Sequence, residues 1–235
     1  MHLEVHHSSM ETSLPPWLPW LMQVSDSQFP SGAYAHSMGL EELTQRGLVK
    51  NADEVEQFIH EQVLPSLCAF ELPFLARVHR AAAAEDLETV RACDEELEAW
   101  KLAAEMRQAS RQIGSRRLAL VRKLRPSPVI GQYAEGNAPC HHLVVCALEL
   151  REAPTAVALG VFALQSVSGY ASSAMKLVRL GQERSQAIVR GAMEALTPRL
   201  DALATHEPEH MGWFNPLLEI ASMRHAVARE RLFIS

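Results

Sequence analysis

Apolar residues recur every three to four positions along most of the chain, and they seldom alternate singly with polar ones. Leu102, Met106, Ala109, Ile113, Leu120 and Leu124 fall on one face of a helix, with Arg107, Arg111, Arg116, Arg122 and Lys123 largely elsewhere. Pro126 and Pro128 stop that element, because proline lacks a backbone donor and pushes the residue before it out of the helical region. Asn51 precedes Glu54 by three positions, a capping-box variant that opens another helix, and Gly47 just before it reads as a C-terminal cap. Asp86 caps an acidic helix running toward Trp100, and the alanine run from Ala81 to Ala84 marks a helix end. Further helices are expected from about Pro139 to Leu150, Pro154 to Leu180, Gln182 to Leu196 and Pro216 to Arg231. On the last of these, Leu217, Leu218, Ile220, Met223 and Val227 form the expected packing stripe. The expected fold is therefore all-α: a single domain of about eight to ten helices, bundle-like, given ordinary helix lengths. It spans residues 14–235, after a disordered polar tail over 1–13.

Length and composition narrow the class. A chain of 235 residues can bury a full core without disulfide or metal staples. A formal charge of -6 argues against a nucleic-acid binder, which would usually carry a basic face. The four cysteines contain no C-x-x-C pair and the N-terminus is no secretory leader, so the expected location is a reducing cytoplasm. The stretch from Ala153 to Met175 carries no charge and is long enough for a membrane span. Its glutamine, threonine and four serines instead favour a helix buried inside the protein or between two copies of it.

Candidate chemistry is sparse. His206-Glu207-Pro208-Glu209-His210 matches the H-E-x-x-H of zinc proteases, in which both histidines share a helical face. Pro208 in its middle would cost a helix ~3 kcal/mol, so the segment reads as a loop. Cys140, His141 and His142 are adjacent and would point in different directions, which makes them a helix start more readily than a ligand set. His2, His6 and His7 could hold metal only loosely. The basic run from Arg111 to Arg125 reads as a solvated face. There is no phosphate-binding loop and no nucleophile elbow. On residues alone, a helical adaptor and a metal-dependent hydrolase using His206 and His210 both stay open.

Four segments, in order, resemble the UreF family of urease accessory proteins. The first runs from Asp26 to Glu41 (DSQFPSGAYAHSMGLE), a proline-and-glycine turn feeding a helix, with Tyr34, Ser37 and Glu41 spaced to share one side. The second is Ser110 to Leu118, where Gly114 within a helix implies a close helix crossing. The third is Met175 to Gln182, similar to K-x-V-P-L-G-Q but with Arg179 where proline is common. The fourth is Met223 to Ser235, similar to H-E-x-x-x-x-R-L-F-x-S, with Ala226 where glutamate is usual. The helix after His142 also lacks the family's glycine.

The resemblance implies a non-enzymatic, dimeric, all-α protein that binds a second accessory protein, UreD (also called UreH). The pair recruits the GTPase UreG and docks on apo-urease for nickel delivery. No cofactor is held stably, and nickel passes only in transit. By the same resemblance Pro30, Tyr34 and Lys176 belong to the UreG-facing side, and Arg231, Leu232 and Phe233 to the tail that engages UreD. The tail is then expected to project as an apolar hook, with the domain closed before it.

Overall fold

The computed structural model describes residues 14–206 and 211–235; the expected disordered tail, with His2, His6 and His7, lies outside the described residues. Ten helical segments form among the described residues, and no strand. They are α1 (Leu18–Ser25), α2 (Leu40–Gln45), α3 (52–83), α4 (Leu87–Trp100), α5 (Ala104–Leu124), α6 (Pro128–Glu135), α7 (His142–Glu149), α8 (Thr155–Leu177), α9 (Gln182–Thr205) and α10 (Pro216–His225).

The punctuation follows local chemistry. The Asn51 side chain accepts from the backbone of Asp53 and Glu54, while Glu54 reaches back to the Lys50 N–H, closing the expected box. Asp86 caps α4 through the Thr89 N–H. At the end of α2, Gly47 adopts φ 68°. Its N–H reaches the Thr44 carbonyl, and the Leu48 N–H reaches that of Leu43, which is a Schellman cap.

Helix α3 contains two prolines, Pro65 and Pro73, and continues through both because π turns at Ile59–Val63 and Leu67–Glu71 precede them. Each wider turn relieves the clash between the proline ring and the carbonyl four residues back. For Pro73 that carbonyl belongs to Ala69, and it accepts instead from the Gly212 N–H at 3.1 Å.

Three expected boundaries move. The segment after Pro126 forms α6, with Ser127 as its cap and Pro128 in its first turn. Helix α9 continues past Leu196 to Thr205, through Pro198. Pro198 and Glu194 are both exposed, so the freed carbonyl faces water. Helix α10 stops at His225 rather than Arg231.

One continuous set of buried side chains runs from Trp20 to Ala221. Helix α8 is its axis, packed along α9 and against α3, α2, α7 and α1. Its uncharged run is spent inside one chain through Ala158, Leu159, Phe162, Val167, Ala171 and Ala174, so surplus apolar surface there no longer argues for a dimer. No helix of the described residues is long and apolar enough to cross a membrane.

Two helices bury only part of the stripe that the apolar pattern marks, and add polar residues to it. On α5, Leu102 just before it and Leu124 at its end are 55% and 53% exposed, while Ala109, Ser110, Ile113, Gly114, Arg117 and Val121 are buried. Arg117 donates to both oxygens of Glu149 on α7, through Nε at 2.7 Å and through its second terminal nitrogen, and both side chains are almost fully buried. The basic run is thus a solvated face with one member turned inward. On α10, Ile220, Met223 and the following Val227 are 49%, 51% and 82% exposed, whereas Leu218, Ala221, Ser222 and His225 are buried. Polar partners on neighbouring helices, together with the packing of Leu218 and Ala221, select that face.

The Gly114 crossing is real. A Cβ there would overlap the Cys140 carbonyl oxygen, so only glycine lets α5 approach the start of α7 so closely.

Candidate partner-binding surface

The loop from Asp26 to Gly39 is shaped by residues that tolerate left-handed backbone. Gly32 has φ 83°, a 3-10 turn follows at Ala33–Ala35, and Met38 and Gly39 (φ 52° and 88°) open α2. Pro30 and Tyr34 end up exposed, Tyr34 by 72%. Ser37 and Glu41 are buried, so the three residues expected to share one side do not.

The C-terminal residues fold back against this loop as a strap. The Ile234 N–H donates to the Ala35 carbonyl at 2.8 Å. The Ser235 carbonyl accepts from the backbone of Ser37 and Met38 and from the Ser37 hydroxyl, and the Ser235 hydroxyl pairs with His36 Nδ1 at 2.7 Å. Phe233 is buried, 5% exposed, while Arg231, Leu232 and Ile234 are exposed. The expected projecting hook is therefore corrected: one of its three apolar residues is a core residue of this chain, because the strap finds its donors and acceptors at home.

Glu41 anchors the strap. Its carboxylate accepts from the Leu232 N–H at 2.7 Å and the Phe233 N–H at 2.9 Å, and it pairs with His225 at 3.0 Å. Burial works against ionisation of Glu41, but the bonds from Leu232, His225 and Phe233 together outweigh it and hold the carboxyl below the usual range.

Residues that sequence reasoning assigned to two separate partners converge here. Lys176, on the last turn of α8, places its ammonium 5.9 Å from the Tyr34 ring centre and 5.1 Å from that of Phe233. Pro30 lies exposed on the same loop, and Arg231 instead faces Glu105 at 3.6 Å. Behind the loop lies a cavity of about 470 Å³ whose lining includes Tyr34, His36, Arg117, His142 and Gln165. His36 Nε2 is buried without a hydrogen-bond partner among the described residues. Burial, then the nearby Arg116 charge, pushes this imidazole down to about 4.

The other candidate chemistry disperses. Asp94 receives the Tyr133 hydroxyl and the backbone N–H groups of Cys140 and His141. The His141 ring pairs with Ser110 and Glu98. His142 packs on Phe162 near Arg117, and burial followed by the Arg117 charge pushes it down to about 3. Among the described residues no three His, Cys, Asp or Glu side chains form a metal-holding group. His206 is exposed, already in extended backbone beyond the end of α9, and pairs with Thr205. Glu207 to His210 lie outside the described residues.

The residues missed by sequence reasoning are His36, Glu105, His225 and Ser235 as strap partners, and Glu41 as its anchor. The only signal for them lay in the motifs themselves, since each sits inside or across from a family-like segment.

A family model described as UreF matches residues 49–193. The chain is 30% identical over 221 residues to the urease accessory protein UreF of Paenarthrobacter aurescens (strain TC1), covering 92% of this chain and 96% of that protein. The corresponding protein of Arthrobacter sp. (strain FB24) is 27% identical over 221 residues, with the same coverage. That of Pseudomonas putida (strain F1) is 30% identical over 219 residues. Both the family model, which spans more than half of the chain, and relatives aligned almost end to end place this chain in the UreF family of urease accessory proteins.

Proposed function

We propose that this chain acts without catalysis of its own, as the cytoplasmic subunit that joins UreD (UreH) to the GTPase UreG on apo-urease during nickel insertion. It works as a homodimer and holds no cofactor stably; nickel passes as cargo. The observation that carries the reading is the joint surface of Tyr34, Lys176 and Phe233. An aromatic side chain left 72% exposed beside a cation is the kind of group that anchors protein interfaces. UreG takes the Pro30, Tyr34 and Lys176 side. UreD takes the exposed Arg231 and Leu232, with the strap held in place by Phe233. The uncovered apolar residues Leu217, Ile220 and Met223 of α10 add area for a protein partner.

The test is co-purification of the tagged chain with UreD and UreG. Replacing Pro30 and Tyr34 together by alanine is expected to remove UreG from the eluted complex while UreD stays. Retention of UreG at full stoichiometry would refute the assignment. GTP turnover by the isolated chain, expressed in a host without UreG, would refute the non-enzymatic reading.

A further inference from the structure

His225 is fully buried between two carboxylates on different elements. Its Nε2 lies 3.0 Å from Glu41 Oε2 on α2, and its Nδ1 lies 2.9 Å from Glu105 Oε1 on α5. Every acceptor position of Glu41 is occupied: one oxygen receives Gln45 and the Leu232 N–H, the other receives His225 and the Phe233 N–H. A carboxyl so surrounded by donors has no room for a proton of its own. Glu105 likewise receives the Ser222 hydroxyl at 3.2 Å and faces the Arg231 guanidinium at 3.6 Å. A neutral imidazole carries one bare lone pair, and here that lone pair would point at a carboxylate oxygen. Only the imidazolium gives both carboxylates a hydrogen. Glu41, Glu105, His225 and Arg231 then form a neutral cluster of two acids and two cations.

We propose that His225 is a charged latch: its imidazolium, bridging Glu41 and Glu105, seats the strap 231–235. The energetic logic is local. With a neutral ring, one carboxylate loses a charge-assisted bond in a buried place, and Glu41 is the anchor of two strap N–H groups. Turning or withdrawing the Glu41 carboxylate breaks the bonds to Leu232 and Phe233, and with them the seat of Phe233 against Lys176. The functional consequence rests on the proposed partner surface. The latch itself does not, since it is measured on the isolated chain.

Two measurements decide it. Nitrogen-15 NMR of the wild-type ring at neutral pH is expected to show both His225 nitrogens protonated; one bare nitrogen would overturn the proposal without any variant. Hydrogen exchange then reads the strap. In His225→Gln the amides of Leu232 and Phe233 are expected to lose protection by about tenfold or more relative to wild type, while amides of α8 keep theirs. Unchanged strap protection would overturn the proposal. In Glu105→Gln, which removes one of the two carboxylates that hold the ring, protection of the Leu232 and Phe233 amides should also fall. Strap protection indifferent to Glu105 would also count against the latch. None of these readouts involves UreD or UreG, so failure of partner binding and failure of the latch are distinguishable.

Discussion

Breaking the Arg117–Glu149 pair from one side should damage this protein far more than removing the pair altogether. The two side chains are 2% and 0% exposed and joined through two nitrogens of one guanidinium edge. Arg117 also reaches Gln165 at 3.3 Å and stacks over Phe29, so the pair ties α5 and α7 to the loop that carries Pro30 and Tyr34. In Glu149→Leu the guanidinium keeps its burial and loses its counter-charge; in Arg117→Met a carboxylate is stranded in the same way. Each single change is expected to cost ~3–5 kcal/mol, and the double variant, which leaves no buried charge, much less than either. The assay is urea unfolding followed by circular dichroism. At a slope of about 3 kcal/mol/M, a loss of ~4 kcal/mol lowers the midpoint by about 1.3 M. With singles of ~4 kcal/mol each and a double variant below either, the coupling energy from the four proteins should exceed ~4 kcal/mol. A double variant as unstable as the sum of the two singles would refute the reasoning, because the partners would then contribute independently.

Gly114→Ala should lower the melting temperature, since the ~1–3 kcal/mol of overpacking against the Cys140 carbonyl outweighs the ~1 kcal/mol helix gain. Gly131→Ala on α6, where a new methyl meets nothing, should raise it slightly, and equal behaviour of the two would discount the crossing. Below neutrality the fold should weaken as pH falls. His36 and His142, held down to about 4 and about 3, take up protons on unfolding, so the unfolded state binds more protons between those values and ~6.5. Each adds a slope of at most ~1.4 kcal/mol per pH unit, and His142→Phe should flatten the denaturant-midpoint profile in that window. Phe233→Ala removes a side chain worth ~1.5–3 kcal/mol of burial and should loosen the strap without melting α8. Exchange protection of Ile234 equal to wild type would show that Phe233 does not seat the strap.

Much of the local architecture was written in the sequence because it is local chemistry. Asn51, Asp86 and Gly47 bond to backbone within a few residues, so caps and ends can be read from neighbours along the chain. The uncharged run of α8 announces burial for the same reason. The family-like motifs also marked Tyr34, Lys176 and Phe233, though as members of two surfaces. The stripes of α5 and α10 were right at Ala109, Ile113 and Leu218, but only tertiary structure decided how the rest of each face turns. Apolar count favoured Leu102, Leu124, Ile220, Met223 and Val227, yet the chain buries Arg117 and His225. Their burial is tolerable only because Glu149, Glu41 and Glu105 arrive from elsewhere. Glu41 and Leu232 lie 191 positions apart, and no periodicity carries that information. The strap's return to the loop is decided the same way, by donors and acceptors that meet only after the helices between them have packed.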